Sequence, residues 1–351
     1  MSPSKSPPAK KPQSQRIVHQ SPPAPARASE AASRDRSFEL ALRKPFDWEG
    51  LLAFLGTRAI PGVEQVHQDA YWRTLRVAGE ATLLSVCHRA AGRAGGPVLA
   101  VTVWPARADL PPALRDRVAH VFDLGADPAR VVAALGRDPL VGASVRAVPG
   151  LRVPGAWDGF ELGVRAVLGQ QVTVAGARTL AARLVARHGV PLPAPIAAWL
   201  ASSGDGPAAL THLFPEPGAL ATANLDAMGL TGARIDTLHT LAAATARGEL
   251  LLEPGADWEE ARRRLLALRG IGPWTADYVA MRALGEHDAF PAADLGIRNA
   301  LARLHGAPCS TRQAEQASLA WRPFRSYAVM HLWRSLSAAL KPAPPPRAPR
   351  R

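Results

Sequence analysis

The 351 residues contain only two cysteines, Cys87 and Cys309, and neither has a second Cys or a His nearby at metal-ligand spacing. A disulfide framework, a zinc site and an iron–sulfur cluster are therefore not expected. Lysine is absent between Lys44 and Lys341, so the body of the chain has no side-chain amine to form a Schiff base. No apolar run approaches the roughly 20 residues of a membrane helix. The opening segment MSPSKSPPAKKPQSQR also lacks the apolar stretch of a secretory signal. These absences lead to the expectation of a soluble, reduced, cytoplasmic protein with no membrane association, and with monomer as the default.

Hydrophobic residues make up 47% of the chain, enough for a substantial core, and the formal net charge is +13. Residues 1–36 carry +5 and residues 341–351 carry +4, leaving +4 on the body. Both tails are rich in Pro, Ala and basic residues and hold almost no large apolar side chains. They cannot bury enough surface to offset chain entropy and are expected to be disordered. A modest basic surplus on the body suits a single phosphate-binding face.

Between the tails the pattern changes once. FELALRKP alternates as a strand, and FDWEGLLAFLGTRA reads as a helix capped by Asp47. WRTLRVAG, ATLLSVCHRA and PVLAVTVWP read as three strands separated by Gly-containing turns. After Pro105 the strands are expected to stop, and nearly every periodic segment reads as helix. One of these is the long WDGFELGVRAVLGQQVTVAGARTLAARLVARHG. Most of these segments open on Asp, Thr or Pro and close on Gly. The fold class is therefore α+β then mainly α. An α+β domain over 37–112 precedes a helical body, divided into 155–290 and a second helical domain formed by 113–154 with 291–340.

The most informative segment is RRRLLALRGIGPWTADYVAMRAL. A helix ends near Leu268, Gly270-Ile271-Gly272 form a tight hairpin, and Pro273 opens the next helix. Backbone N–H groups at such a helix start form an anion site, and DNA phosphate is a fitting anion. Ile271 should anchor the hairpin in the core. A bare G-x-G-P could equally be a helix stop and restart. Downstream, in HDAFPAADLGIRNALARL, Asp294 stands where a helix begins. Taken alone it reads as an N-cap, but placed just after the hairpin its carboxylate could also face bound DNA.

With these segments in hand, the chain resembles the helix-hairpin-helix DNA glycosylases, and among them the bacterial 3-methyladenine DNA glycosylase II group. The resemblance runs over roughly residues 38–340. It is carried by FDWEGLLAFLGTRAIPGVE, HVFDLGADPARVVAALG, PGLRVPGAWDGFELGVRAVLGQQVTVAGA, LRGIGPWTADYVAMRALG, FPAADLGIRNAL and WRPFRSYAVMHLW. It implies three domains around a cleft, Asp294 as the catalytic carboxylate, and Trp274, Tyr278 and Trp333 as aromatic walls of a base pocket. The alternative for the three aromatics is an ordinary place in the core. DNA contacts are expected from Gln170, Gln171, Arg269, Gly270, Ile271, Gly272 and Thr275. The gap left by an extruded base would be filled from VLGQQVTVAG, where Gln171 stands at a position occupied by leucine in a well-known relative. Arg269 stands where many relatives have proline. Strand-cutting members place a lysine at the position of Trp274, so its absence points to a monofunctional enzyme. No cofactor is required, and a monovalent Na+ or K+ on the carbonyls of Leu266, Leu268 and Ile271 is implied as a structural ion.

The function expected is hydrolysis of the N-glycosidic bond of alkylated bases in damaged double-stranded DNA, with no nucleotide cofactor. Two other readings stay open: a non-catalytic helix-hairpin-helix DNA-binding protein, and a glycosylase for deaminated bases.

Overall fold

The structure is a computed structural model, and it describes residues 37–105, 110–202, 207 and 209–339. The two tails read from sequence as disordered lie outside the described residues.

The chain opens with β1 (Ser37–Ala41), helix α1 (Trp48–Arg58), and strands β2 (Glu64–His67), β3 (Ala70–Val77), β4 (Glu80–Arg89) and β5 (Val98–Trp104). They form one antiparallel sheet in the order β1-β5-β4-β3-β2. Gln68-Asp69 and Ala78-Gly79 are two-residue turns with positive φ at both positions, the hairpin geometry whose twist matches that of the flanking strands. Asp47 caps α1 by accepting from the Gly50 amide, as its place in the sequence suggests. One sheet face packs on α1 and on α2 (Pro112–Val121) through Trp48, Leu52, Tyr71, Leu84, Val101, Val118 and Phe122.

The strand β2 is missing from the sequence-based reading because EQVH has no clean alternation. Glu64 is nevertheless buried, accepting from Tyr71 Oη at 2.7 Å and Arg165 Nη1 at 2.5 Å. Burial alone would raise the Glu64 pKa, but Arg165 and Arg73 outweigh it and hold the carboxyl below its ordinary range.

The helical body continues with α3 (Pro128–Leu135), α4 (Gly142–Ala147), α5 (Gly159–Leu168) and α6 (Val174–His188). The segment read as one long helix is thus two, interrupted at 169–173. There Gln171 takes a left-handed φ of 58° and Thr173 caps the new helix through the Gly176 amide.

The two-residue strands β6 (Val190–Pro191) and β7 (His212–Leu213) flank α7 (Ala194–Ser202), so strands do not stop entirely after Pro105. This insertion covers the other face of the sheet, with Trp199 stacked on Trp104 at 5.3 Å.

Next come α8 (Pro217–Leu220), α9 (Gly232–Ala246), α10 (Trp258–Ala267) and α11 (Pro273–Val279). Helix α8 takes up only the start of PGALATANLDAMG, which from sequence reads as one helix. A wide π-turn (Ala280–Leu284) extends α11 and ends at Gly285 with φ 78°. The chain closes with α12 (Leu295–His305), α13 (Thr311–Ser318), a 3-10 turn (Leu319–Trp321) and α14 (Arg325–Ala339). A single apolar cluster, including Leu168, Leu241, Ile271, Val279, Ile297, Trp321 and Leu332, runs through α5, α9, the hairpin, α12 and α14. The architecture is a small antiparallel sheet followed by a helical body.

Candidate active site

Three elements distant in sequence converge on one carboxylate. Asp294 is the N-cap of α12, and its Oδ1 accepts from the Ile297 amide at 2.9 Å. Capping uses only part of its capacity. Trp333 on α14 donates its indole N–H to Oδ1 at 2.9 Å, and Trp274 on α11 donates to Oδ2, also at 2.9 Å. Both readings of this aspartate are therefore compatible: it caps a helix and it lies at the centre of an aromatic site. It is half-buried, so the carboxylate is held yet still accessible.

Trp274 and Tyr278, one helical turn apart, stack at 5.6 Å with an interplanar angle of 13°. Tyr278 meets Trp333 at 6.3 Å and 54°. All three rings are half-buried, which distinguishes them from wholly buried Trp321 and Tyr327.

Sequence reasoning missed the contribution of the first domain. Phe54 of α1 stacks on Trp333 at 6.2 Å, and Arg58 lies 3.8 Å over the Phe54 ring and 5.9 Å from that of Trp333. The end of α1 is fastened by Arg165, which donates to the Arg58 carbonyl at 2.6 Å, and by Arg178, which donates to that of Ala59 at 2.7 Å. Arg165 is itself held by Glu64 and Glu161, and Glu161 also pairs with buried Arg73 at 2.7 Å.

Behind Tyr278, buried Arg282 donates Nη1 to the phenol oxygen at 2.8 Å and Nε to the Pro154 carbonyl at 2.7 Å. The π-turn carries this arginine, and no periodicity in the sequence announces it. Burial alone would raise the Tyr278 pKa, but Arg282, Arg58 and Arg165 together bring it below its ordinary value. Burial, aided by Arg282 and Arg165, pushes Arg58 down to about 10, so it stays cationic at neutral pH.

The hairpin joins α10 to α11. Gly270 has φ 87°, and a Cβ there would lie 2.0 Å from Thr237 Oγ1, so glycine is needed for both angle and space. Gly272 differs from the expectation of two special backbone angles. Its φ of −101° is extended, and a Cβ would meet nothing within 4 Å. Its lack of a side chain instead leaves the approach to the start of α11 open. Ile271 is buried in the core, as an anchor should be. No side chain caps the start of α11, which leaves backbone N–H groups of its first turn for an outside acceptor.

Gln171 and Arg269 are exposed. Gln170 and Thr275, expected among the DNA contacts, bond to each other. Gln170 Nε2 donates to Thr275 Oγ1 at 3.1 Å and to the Gly270 carbonyl at 3.0 Å, and Thr275 is buried. His331 and His287 have their partners away from this site. His331 contacts Ser144 Oγ at 3.0 Å, and His287 lies 3.5 Å from Asp123 beside a cavity of about 330 Å³ that none of the aromatic site residues line.

Residues 37–158 match the AlkA N-terminal domain, and residues 164–324 match the HhH-GPD superfamily of base excision DNA repair proteins. A Mycobacterium tuberculosis protein described as a probable bifunctional transcriptional activator/DNA repair enzyme AlkA is 41% identical over 309 residues. The match covers 88% of this chain and 59% of the relative, so the chain spans well under two thirds of that protein's length. DNA-3-methyladenine glycosylase 2 of Escherichia coli is 35% identical over 299 residues, covering 84% of this chain and 96% of the relative. In fold, the chain is similar to a 3-methyladenine DNA glycosylase from Archaeoglobus fulgidus. That likeness has a TM-score of 0.68 at 22% identity and covers 85% of this chain and 97% of the other. The sheet domain and the helical body each find their counterpart, and the chain belongs to the HhH-GPD superfamily of base excision DNA repair proteins, in the group that carries the AlkA N-terminal domain.

Proposed function

We propose that this chain is a monofunctional DNA glycosylase that releases alkylated bases, 3-methyladenine and related methylated purines and pyrimidines, from double-stranded DNA. One observation carries the reading: a half-buried carboxylate, Asp294, is held by two indole N–H groups beside a stacked Trp274–Tyr278 pair. A simple DNA binder needs neither feature. The names of the M. tuberculosis and E. coli relatives support it.

The proposed reaction uses this geometry as follows. The hairpin's free amides take a DNA phosphate, with Arg269 as an exposed cation beside them. The damaged nucleotide leaves the stack and brings its base against the aromatic rings. A cationic alkylated base is attracted to their π-faces and, being already positive, needs little acid help to depart. Breaking the glycosidic bond leaves oxocarbenium character on the sugar. The Asp294 carboxylate stabilises that charge and accepts the proton of the attacking water. Three donors fix its orientation before the reaction begins. With Trp274 in place of an amine, no covalent enzyme–sugar adduct forms and the strand stays intact.

Arg58 favours a second reading. A guanidinium beside Phe54 and Trp333 opposes a cationic base but can donate to the carbonyl of a deaminated one.

No cofactor takes part in the chemistry. The hairpin carbonyls fit a monovalent cation in one respect: that of Leu268 accepts from the Ile271 amide at 3.1 Å and keeps a lone pair. Leu266, Leu268 and Ile271 would hold such an ion, which would stiffen the hairpin. The protein is taken to act as a cytoplasmic monomer on duplex DNA; no helix among the described residues is long and apolar enough to cross a membrane.

The test is base release from methylated, hypoxanthine- and uracil-containing duplexes, analysed with and without alkali. Release from methylated DNA with breaks only after alkali is expected. Strand breaks without alkali contradict the monofunctional assignment, and release from hypoxanthine DNA alone selects the second reading.

A further inference from the structure

We infer that Gln170 is a positioning residue that locks the 169–173 turn to the phosphate-binding hairpin, so that one rigid unit both grips the backbone and presents Gln171 to the duplex. The inference rests on the duplex-DNA reading above and extends it to a residue whose side chain faces the protein. The turn is an unfavourable structure to leave unsupported. Gln171 has φ 58°, a strained conformation for a residue with a Cβ. Gln171 is exposed, and its neighbours Val172 and Val174 are 40% and 47% exposed, so little burial holds the turn in place.

Polar contacts support it from two sides. The Gln170 amide donates to the Gly270 carbonyl and to Thr275 Oγ1, at 3.0 and 3.1 Å. The Gln170 carbonyl accepts from Arg234 Nη2 of α9 at 2.7 Å. Helix α9 also reaches the hairpin, with Thr237 Oγ1 3.2 Å from the Arg269 carbonyl. The turn, the hairpin and α9 thus form a closed triangle, and the Gln170 side chain is the turn's link to the hairpin within it. Loss of that amide leaves the hairpin able to take a phosphate but frees the turn from it. An exposed Gln171–Val172 ridge set at a fixed distance from a bound phosphate is suited to a duplex, where strand spacing is fixed. A flexible single strand has no second strand to match.

The experiment compares wild type, Gln170→Ala and the similarly sized, uncharged Gln170→Met, neither of which can donate to the Gly270 carbonyl. Fluorescence anisotropy measures the affinity of each for a duplex bearing a tetrahydrofuran abasic analogue, and for the same labelled strand alone. Circular dichroism melting confirms folding, and Thr275→Val serves as a milder variant that removes one of the two contacts. Both Gln170 variants should lose about tenfold in duplex affinity while single-strand affinity stays within twofold. Thr275→Val should fall between them and wild type. Equal losses on both DNAs, or no loss in folded variants, would overturn the brace. Base release by wild type from methylated duplex is measured in parallel. Its absence counts against the glycosylase reading, whereas the affinity ratio bears on Gln170 separately.

Discussion

At the scale of single residues, the site turns on hydrogen bonds that fix one carboxylate. Trp333 contributes both a ring and an N–H, and Trp333→Phe separates them by keeping the aromatic face and removing the donor to Asp294 Oδ1. A hydrogen bond to a charged group contributes about 1.5–3 kcal/mol. The variant should therefore lose about tenfold to a hundredfold in kcat on methylated duplex with KM little changed. An unchanged kcat in single-turnover measurements would assign Trp333 to stacking alone. The parts of this site differ in how readable they are from sequence. Asp294, Trp274, Tyr278 and Trp333 stand in recognisable strings, and the structure gathers them around one point. Phe54, Arg58 and Arg282 give no such signal. The first two look like part of an amphipathic helix, and the third acts through a π-turn that period-3.6 patterning does not represent.

At the scale of elements, turns decide where the site sits. Periodicity alone carries the helix straight through 169–173, because apolar spacing continues on both sides and one residue in a left-handed conformation is enough to divide it. The strand β2 is hidden for the opposite reason: its buried Glu64 breaks the alternation that marks a strand, and its partners Tyr71 and Arg165 meet it only in three dimensions. The hairpin glycines look alike in sequence but carry different duties. Gly270→Ala imposes an unfavourable φ and a clash with Thr237, so folding stability should drop by about 2 kcal/mol or more. Gly272→Ala, in extended and open backbone, should fold as wild type but bind duplex several-fold more weakly, because its methyl obstructs the phosphate. Urea denaturation together with anisotropy distinguishes the two, and equal folding losses would contradict the assignment.

At the scale of the molecule, the first domain is tied to the helical body by buried charge as well as by apolar packing: Arg73 of β3 reaches Glu161 of α5, and Glu64 of β2 reaches Arg165. Stability should also depend on pH through three histidines, of which His331 is buried. Burial, with Arg334 nearby, pushes His331 down to about 4 from an ordinary 6.5, and it is neutral in the fold. Its contribution is complete above pH 6.5 and is lost as pH falls towards 4, amounting to about 2 kcal/mol at pH 5. His120, likewise lowered to about 4 chiefly by burial, acts in the same direction. His287, raised by its bond to Asp123, acts in the opposite one. Melting temperature followed from pH 7 to 5 should fall less steeply in His331→Gln than in wild type, and parallel slopes would contradict this assignment.

The central claim is that the carboxylate held between two indoles drives base release. Asp294→Asn keeps the side chain's size, can still accept the Ile297 amide and leaves the hairpin untouched. Single-turnover release of 3-methyladenine from methylated duplex, with affinity for abasic-analogue DNA measured on the same preparation, tests the claim most directly. Release should fall by about two to four orders of magnitude, with affinity within a few-fold of wild type. Release at the wild-type rate would contradict the mechanism, and would leave Asp294 as no more than the cap of α12.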